Sequence, residues 1–128
     1  MRREAREKAF QLIFERLFVK ESYGPDEEFF ACLKKEEDKA FANEIVTKFS
    51  ENKTELESLV EANLIGYALS RVYKVDLALI YLALTEIKFC GTPFQIAINE
   101  TLEIAKRYST EKSSRFINGV ISAILKKD

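Results

Sequence analysis

Residues 92 to 124 read TPFQIAINETLEIAKRYSTEKSSRFINGVISAI, and the spacing of their apolar side chains decides the fold class. Gly91 offers a place for one helix to end, Thr92 a cap for the next, Pro93 suits a first helical position, and Gln95 completes a capping box. Phe94, Ala97, Ile98, Leu102, Ala105 and Tyr108 then recur at three- and four-residue steps, while Glu100, Glu103, Lys106 and Arg107 take the opposite arc. After a polar break at Ser109 and Thr110 the rhythm resumes with Phe116, Ile117, Val120, Ile121, Ile124 and Leu125. The stretch therefore predicts two helices, each with one face to bury. Gly119 lies inside the second, where glycine costs about 1 kcal/mol relative to alanine, so it predicts the close approach of another backbone.

Outward from this pair the same periodicity continues. Met1 to Lys20 predicts a long helix with a wide apolar arc: Ala9, Ile13 and Leu17 in one stripe, Phe10, Phe14 and Phe18 beside it, and Leu12 widening it. Gly24 and Pro25 break the chain, and Asp26, Glu27 and Glu28 suit the positive end of a short helix carrying Phe29, Phe30 and Leu33. Residues 34 to 39 read as a solvated connection. Phe41, Ala42, Ile45, Val46 and Phe49 form a further amphipathic helix, and Thr54 with Glu57 predicts a second capping box before Leu56, Leu59, Val60, Asn63 and Leu64. Gly66 punctuates, and Ala68, Leu69 and Val72 form a short helical piece. Leu77, Ile80, Tyr81, Leu84 and Ile87, with Ala78, Leu79, Leu82 and Ala83, make a helix apolar on most sides, as a central helix must be. The sum is an all-α protein of about seven helices in a single domain.

Composition agrees and excludes much chemistry. Four glycines and two prolines in 128 residues are too few for a turn-rich sheet protein. No apolar run reaches a membrane span and no signal peptide opens the chain, which predicts a soluble cytoplasmic protein. Cys32 and Cys90 lie in apolar surroundings and read as reduced, packed thiols. Histidine is absent, and with it the commonest general base and zinc ligand. Phosphate-binding and nucleophile-elbow patterns are missing too, so neither metal, cofactor nor catalytic residue is expected. Glu100 and Glu103 read as exposed charges paired with Lys106 and Arg107, and Asn99 and Asn118 as partners of buried backbone or of each other. The chain reads as a binding protein.

The net charge of −1 conceals a partition: residues 1–20 carry +3, residues 21–61 carry −7, and residues 62–128 carry +3. Basic ends flanking an acidic middle fit a protein that shows one surface to a polyanion and another to something else. Arg2, Arg3 and Arg6 cluster ahead of the first apolar stripe, with Lys8 close behind. Two readings stay open for them: forked donors for phosphate, or a solvated helix start paired with the interleaved Glu4 and Glu7.

INETLEIAKRY (98–108) followed by RFINGVI (115–121) is similar to the signature of the NusB family of bacterial transcription antitermination proteins. AREKAFQLIF (5–14) and LALIYLALTEI (77–87) extend the likeness over nearly the whole chain, with residues 21 to 37 matching least. The resemblance implies helices in two small bundles sharing a core, divided near residue 50, and a non-enzymatic protein that pairs with the ribosomal small-subunit protein NusE. With NusE it would bind a boxA-type single-stranded element in nascent ribosomal RNA and join the RNA polymerase antitermination complex. It also implies that Arg2, Arg3 and Arg6 contact RNA, with Glu4 standing where another basic residue is common. The turn carrying Lys112, Arg115 and Phe116 is placed beside those arginines, and basic groups next to an aromatic suit phosphate contact and base stacking. Phe116 also fits the buried stripe. Phe14, where the family often has tyrosine, and Glu86 are implied on the partner-binding side, against plain readings as core and as solvated helix charge. Lys112 departs from the acidic residue that many relatives have. A substrate-binding module for an RNA methyltransferase and a protein-only helical adaptor are the alternative functions.

Overall fold

A helix buried on every side organises the molecule. In the computed structural model, which describes residues 2–18, 30–66 and 68–126, the helix Lys74–Phe89 keeps each residue from Asp76 to Glu86 out of solvent. We label the helices α1 (Arg2–Arg16), α2 (Glu36–Glu51), α3 (Lys53–Ala62), α4 (Lys74–Phe89), α5 (Phe94–Tyr108) and α6 (Glu111–Lys126), with a 3-10 turn at Leu69–Arg71 between α3 and α4. Among the described residues there is no strand, and no helix is long and apolar enough to cross a membrane.

Two packing sets share α4: α1 and α2 with α4, and α5 and α6 with α4. Arg6 meets Glu86 near the end of α4, while Leu17 lines the same groove as Leu77 near its start, so α1 runs antiparallel to α4. Arg6 stacks over Phe41 and Arg16 bonds Ser50 at 2.9 Å, which sets α2 parallel to α1. A helix buried all round must satisfy its own polar groups. Thr85 donates to the Tyr81 carbonyl at 2.7 Å, and Asp76 accepts from Ser109 at 2.8 Å. Gly91 ends α4 with φ +74°, and the Cys90 and Thr92 N–H groups both reach the Glu86 carbonyl, at 3.2 and 3.0 Å. Glycine reaches this left-handed conformation without a side-chain clash.

Several local expectations are corrected by packing. Thr92 does not cap α5; its hydroxyl donates to Glu86 Oε1 at 3.0 Å, and no side chain caps that helix. Thr54 caps nothing either, because α3 begins one residue earlier, after Asn52. The run at 34–39 is not a connection, since Glu36, Glu37 and Asp38 form the first turn of α2, where carboxylates suit the helix dipole. On α5 the buried face is Ala97, Ile98, Thr101, Ile104 and Ala105, leaving Phe94 and Tyr108 exposed. The α6 stripe is as read, with Ile117, Val120, Ile121 and Ile124 buried. Phe30 and Leu33 are core, while Gly24 to Phe29, and the extension of the first helix to Lys20, lie outside the described residues. Neither thiol is in a disulfide: Cys32 is exposed, against the expectation of a packed thiol, and burial, with Glu44 beside it, pushes the half-buried Cys90 up to about 12.

Candidate nucleic-acid interface

The amino-terminal arginines begin α1, and the structure gives them internal partners. Arg6 is 5% exposed, and its Nε donates to Glu86 Oε1 at 2.9 Å and Oε2 at 2.8 Å. Glu86 is 0% exposed. The expectation of a solvated, partner-facing Glu86 is therefore corrected, as is that of an exposed Arg6: each neutralises the other inside the core. Removing one member of such a buried pair costs about 3–5 kcal/mol, because the other charge is left unpaired. Arg3 lies further out, and its Nε and Nη2 donate to the two Glu100 oxygens, each at 3.0 Å. Those hydrogen bonds hold the Glu100 carboxyl below its ordinary range and raise Arg3 above its own. Glu100 is thus a partner of α1, not of Lys106 or Arg107; Lys106 pairs with Glu103 at 2.9 Å and Arg107 with Glu7 at 2.9 Å. Arg2 is exposed, with its guanidinium 4.5 Å from the Phe41 ring centre.

The second basic group lies at the start of α6. Lys112 and Arg115 are exposed at the start of α6, where Thr110 accepts the Ser113 N–H at 3.2 Å and so caps the helix. Lys112 shares a groove with Asp76, ten residues before Glu86 on α4, which puts it about 15 Å along that helix from the Arg6 site. The turn that leads into α6 does lie against α1, since Arg107 pairs with Glu7 at 2.9 Å and the Tyr108 hydroxyl donates to Glu7 at 2.8 Å, while Arg6 and Lys112 stand at different points along α4. The groove, about 190 Å³, is lined by Arg71, Tyr73, Asp76, Lys112, Ser113 and Phe116. On the other side of Phe116 runs an apolar trough of about 350 Å³, lined by Leu64, Ile65, Arg115, Gly119 and Val120. Arg71, Lys112 and Arg115 have no ion pair among the described residues.

Gly119 overturns its own reading. Among the described residues nothing lies within 4 Å of where its Cβ would stand, so no described backbone approaches it closely. Asn99 and Asn118 are both exposed instead of serving buried backbone, and Asn99 accepts from Gln95 at 3.1 Å. Phe14 is half-buried against the core and meets Phe10 and Phe18 at ring distances of 6.4 and 5.2 Å. Phe18 is 61% exposed, which continues this aromatic row into solvent. Phe116 is half-buried, packing on the core with one side while separating the two grooves with the other. Sequence reasoning missed Arg71 and Tyr73. Their signal, a basic and an aromatic residue beside a short helical piece, is common and pointed nowhere until the turn set them opposite Lys112.

The NusB family model matches residues 3–126 of this chain. A transcription antitermination protein NusB from Listeria innocua is 40% identical over 99% of this chain and 98% of its own length. The chain belongs to the NusB family. The solved structure of NusB from T. maritima superposes with TM-score 0.87 and 30% identity, over 98% of this chain and 91% of that one. A NusB solved with NusE and dsRNA shares the fold at TM-score 0.89 and 24% identity, over 99% and 97% of the two chains. The packing of helices around α4 is therefore the NusB fold. Within it, the arginines of α1 and the cations of the 3-10 turn and α6 form two separate basic groups on this NusB-family chain.

Proposed function

We infer that this chain is a transcription antitermination factor, a binding protein and not an enzyme, that works with NusE on boxA-type single-stranded RNA in ribosomal RNA transcription. The observation that carries the reading is 40% identity, over nearly the full length of both chains, to a protein named for transcription antitermination. A structural neighbour was solved as a complex of the antitermination factors NusB and NusE with dsRNA, which supports NusE and RNA as partners. Such an assembly acts in the cytoplasm.

The RNA surface in this reading comprises Arg2 and Arg3 on α1, with Arg6 behind them as a fixed positive charge, and Lys112, Arg115 and Phe116 on α6. The NusE surface includes the Phe14 edge with its exposed neighbour Phe18. Its apolar, aromatic character suits a protein contact better than a phosphate. Titrating a labelled boxA-type single-stranded RNA with the chain, alone and with NusE, tests the function. The expected result is binding that tightens when NusE is present and weakens as salt rises. RNA binding absent in both conditions overturns it.

A further inference from the structure

We propose that the seam between α1 and α5 exchanges internal carboxylates for RNA phosphates: Glu100 and Glu7 hold Arg3 and Arg107 when no RNA is bound, and two phosphates of a single strand displace them. The proposal rests on the RNA-binding reading above. It adds Arg107 to the surface that meets the strand and gives two acidic residues the role of built-in competitors.

The two pairs have the same form. Arg3 donates from Nε and Nη2 to the two Glu100 oxygens at 3.0 Å each, and Arg107 Nη2 lies 2.9 Å from Glu7 Oε2. In both, the arginine side chain is more than half exposed, at 56% and 55%, while its carboxylate is only 20% exposed. The acid therefore sits inward, and the guanidinium keeps an outer edge in water where an incoming anion can reach it. The pairs cross the seam in opposite senses, Arg3 from α1 to α5 and Arg107 from α5 to α1, so neither helix alone carries the site. Arg3 and Glu7 are one turn apart on α1, which spaces the two pairs by roughly 6 Å along that helix. Both helices pack on α4 and meet each other through side chains such as these and the tilted rings of Phe10 and Tyr108, 5.1 Å apart.

What permits exchange is a second partner for each acid. Taking the arginine from a carboxylate that is mostly buried would strand a charge and oppose the exchange. Here neither charge is stranded. Glu100 Oε1 lies 3.8 Å from Arg6 Nη1, and Arg6 is fixed in the core by Glu86. Glu7 Oε1 accepts from the Tyr108 hydroxyl at 2.8 Å, and Gln11 steadies that hydroxyl by donating to it at 3.0 Å. The hydrogen bond to Glu7 holds the Tyr108 hydroxyl above its ordinary range, so it stays protonated as a donor. A contact that served only to fasten α1 to α5 would need no reserve partner on both of its acids. The arginine fork takes a carboxylate and a phosphate in the same geometry, so the two carboxylates mark where two phosphates can sit.

The test uses the full chain and a labelled twelve-nucleotide single-stranded RNA of mixed sequence, read by fluorescence anisotropy across a salt series. Melting curves of every variant set a common temperature at which all are folded. Glu7→Gln and Glu100→Gln should each tighten binding about two- to fivefold, the scale of one exposed ion pair. Glu103→Gln makes the same change of charge within α5, where its partner is Lys106, and should leave the affinity unchanged. Arg107→Ala should weaken binding and flatten the log affinity against log salt slope by about 0.7, and in that background Glu7→Gln should no longer tighten it. Equal tightening by all three glutamine variants reduces the effect to net charge and overturns the proposal. A tightening by Glu7→Gln that survives Arg107→Ala overturns it too. RNA binding by the parent that none of these substitutions alters removes the exchange seam and leaves the antitermination reading standing. No binding by either the parent or the Glu7→Gln, Glu100→Gln double variant removes both.

Discussion

The basic residues of α1 and those around Lys112 look alike in the sequence and differ in their partners. Around Arg6 the cations are already matched: Glu86 and Glu100 accept their hydrogen bonds, and Phe41 lies under two of the guanidinium groups. Around Lys112 they are unmatched, and Arg71, Lys112 and Arg115 are exposed with no ion pair among the described residues. A phosphate approaching α1 must compete with an internal carboxylate for Arg3, whereas one approaching the 3-10 turn meets free donors. Counting charges along the chain therefore misjudges where a polyanion binds most readily, because availability depends on which carboxylates the fold brings alongside.

The largest effect should come from the buried side of this contrast. Replacing Glu86 with Lys leaves two cations facing each other in the core and should destabilise the protein by at least about 3–5 kcal/mol, read as a lowered denaturation midpoint. An unchanged midpoint would mean that Arg6 swings out to solvent and that the two basic groups are alike after all. On the other side, Arg71→Ala with Lys112→Ala should move stability by no more than about 0.5 kcal/mol. The same pair should weaken binding of single-stranded RNA with little regard to its sequence, flattening the salt slope by about 0.7 for each residue. A strong sequence dependence of that loss would show that these side chains read bases.

The Arg3–Glu100 contact lies between these extremes and sharpens the comparison. Glu100→Gln removes the internal competitor and should tighten RNA binding modestly, provided Arg3 then pairs with phosphate. Because the Glu100 carboxyl is held below its ordinary range in the folded chain, its stabilising contribution is present above that range and lost as the pH falls through its lowered value. The stability difference between parent and Glu100→Gln should accordingly shrink on acidification below the usual carboxylate value of about 4.3. A difference that stays constant to low pH would remove the ion pair as its cause. At Gly119 alanine should add up to about 1 kcal/mol of helix stability, since its methyl group meets nothing among the described residues. A loss of stability there would mean that the trough closes in solution.

Much of this molecule was legible from periodicity. The α6 stripe of Ile117, Val120, Ile121 and Ile124, the central position of α4 and the break at Ser109 and Thr110 all follow from where apolar and polar residues alternate, because burying apolar area is non-directional and needs only the right face. Capping was less legible. Thr92 has the residue type and position for an N-cap, but Glu86, one helix back, competes for its hydroxyl and wins because a buried carboxylate needs every donor it can reach.

What the sequence determined by itself was an all-helical chain, the central helix α4, the buried stripe of α6 and the family signature in residues 98–121. What only the tertiary structure decided was which charges remain available. Arg6 and Glu86 are 80 positions apart and Arg3 and Glu100 are 97, so no local pattern pairs them. Hydrogen bonds and ion pairs are short-ranged and directional, and they form only between groups that helix packing brings together. The same packing set Arg71 in one groove with Lys112, a relation that 41 positions of sequence do not show.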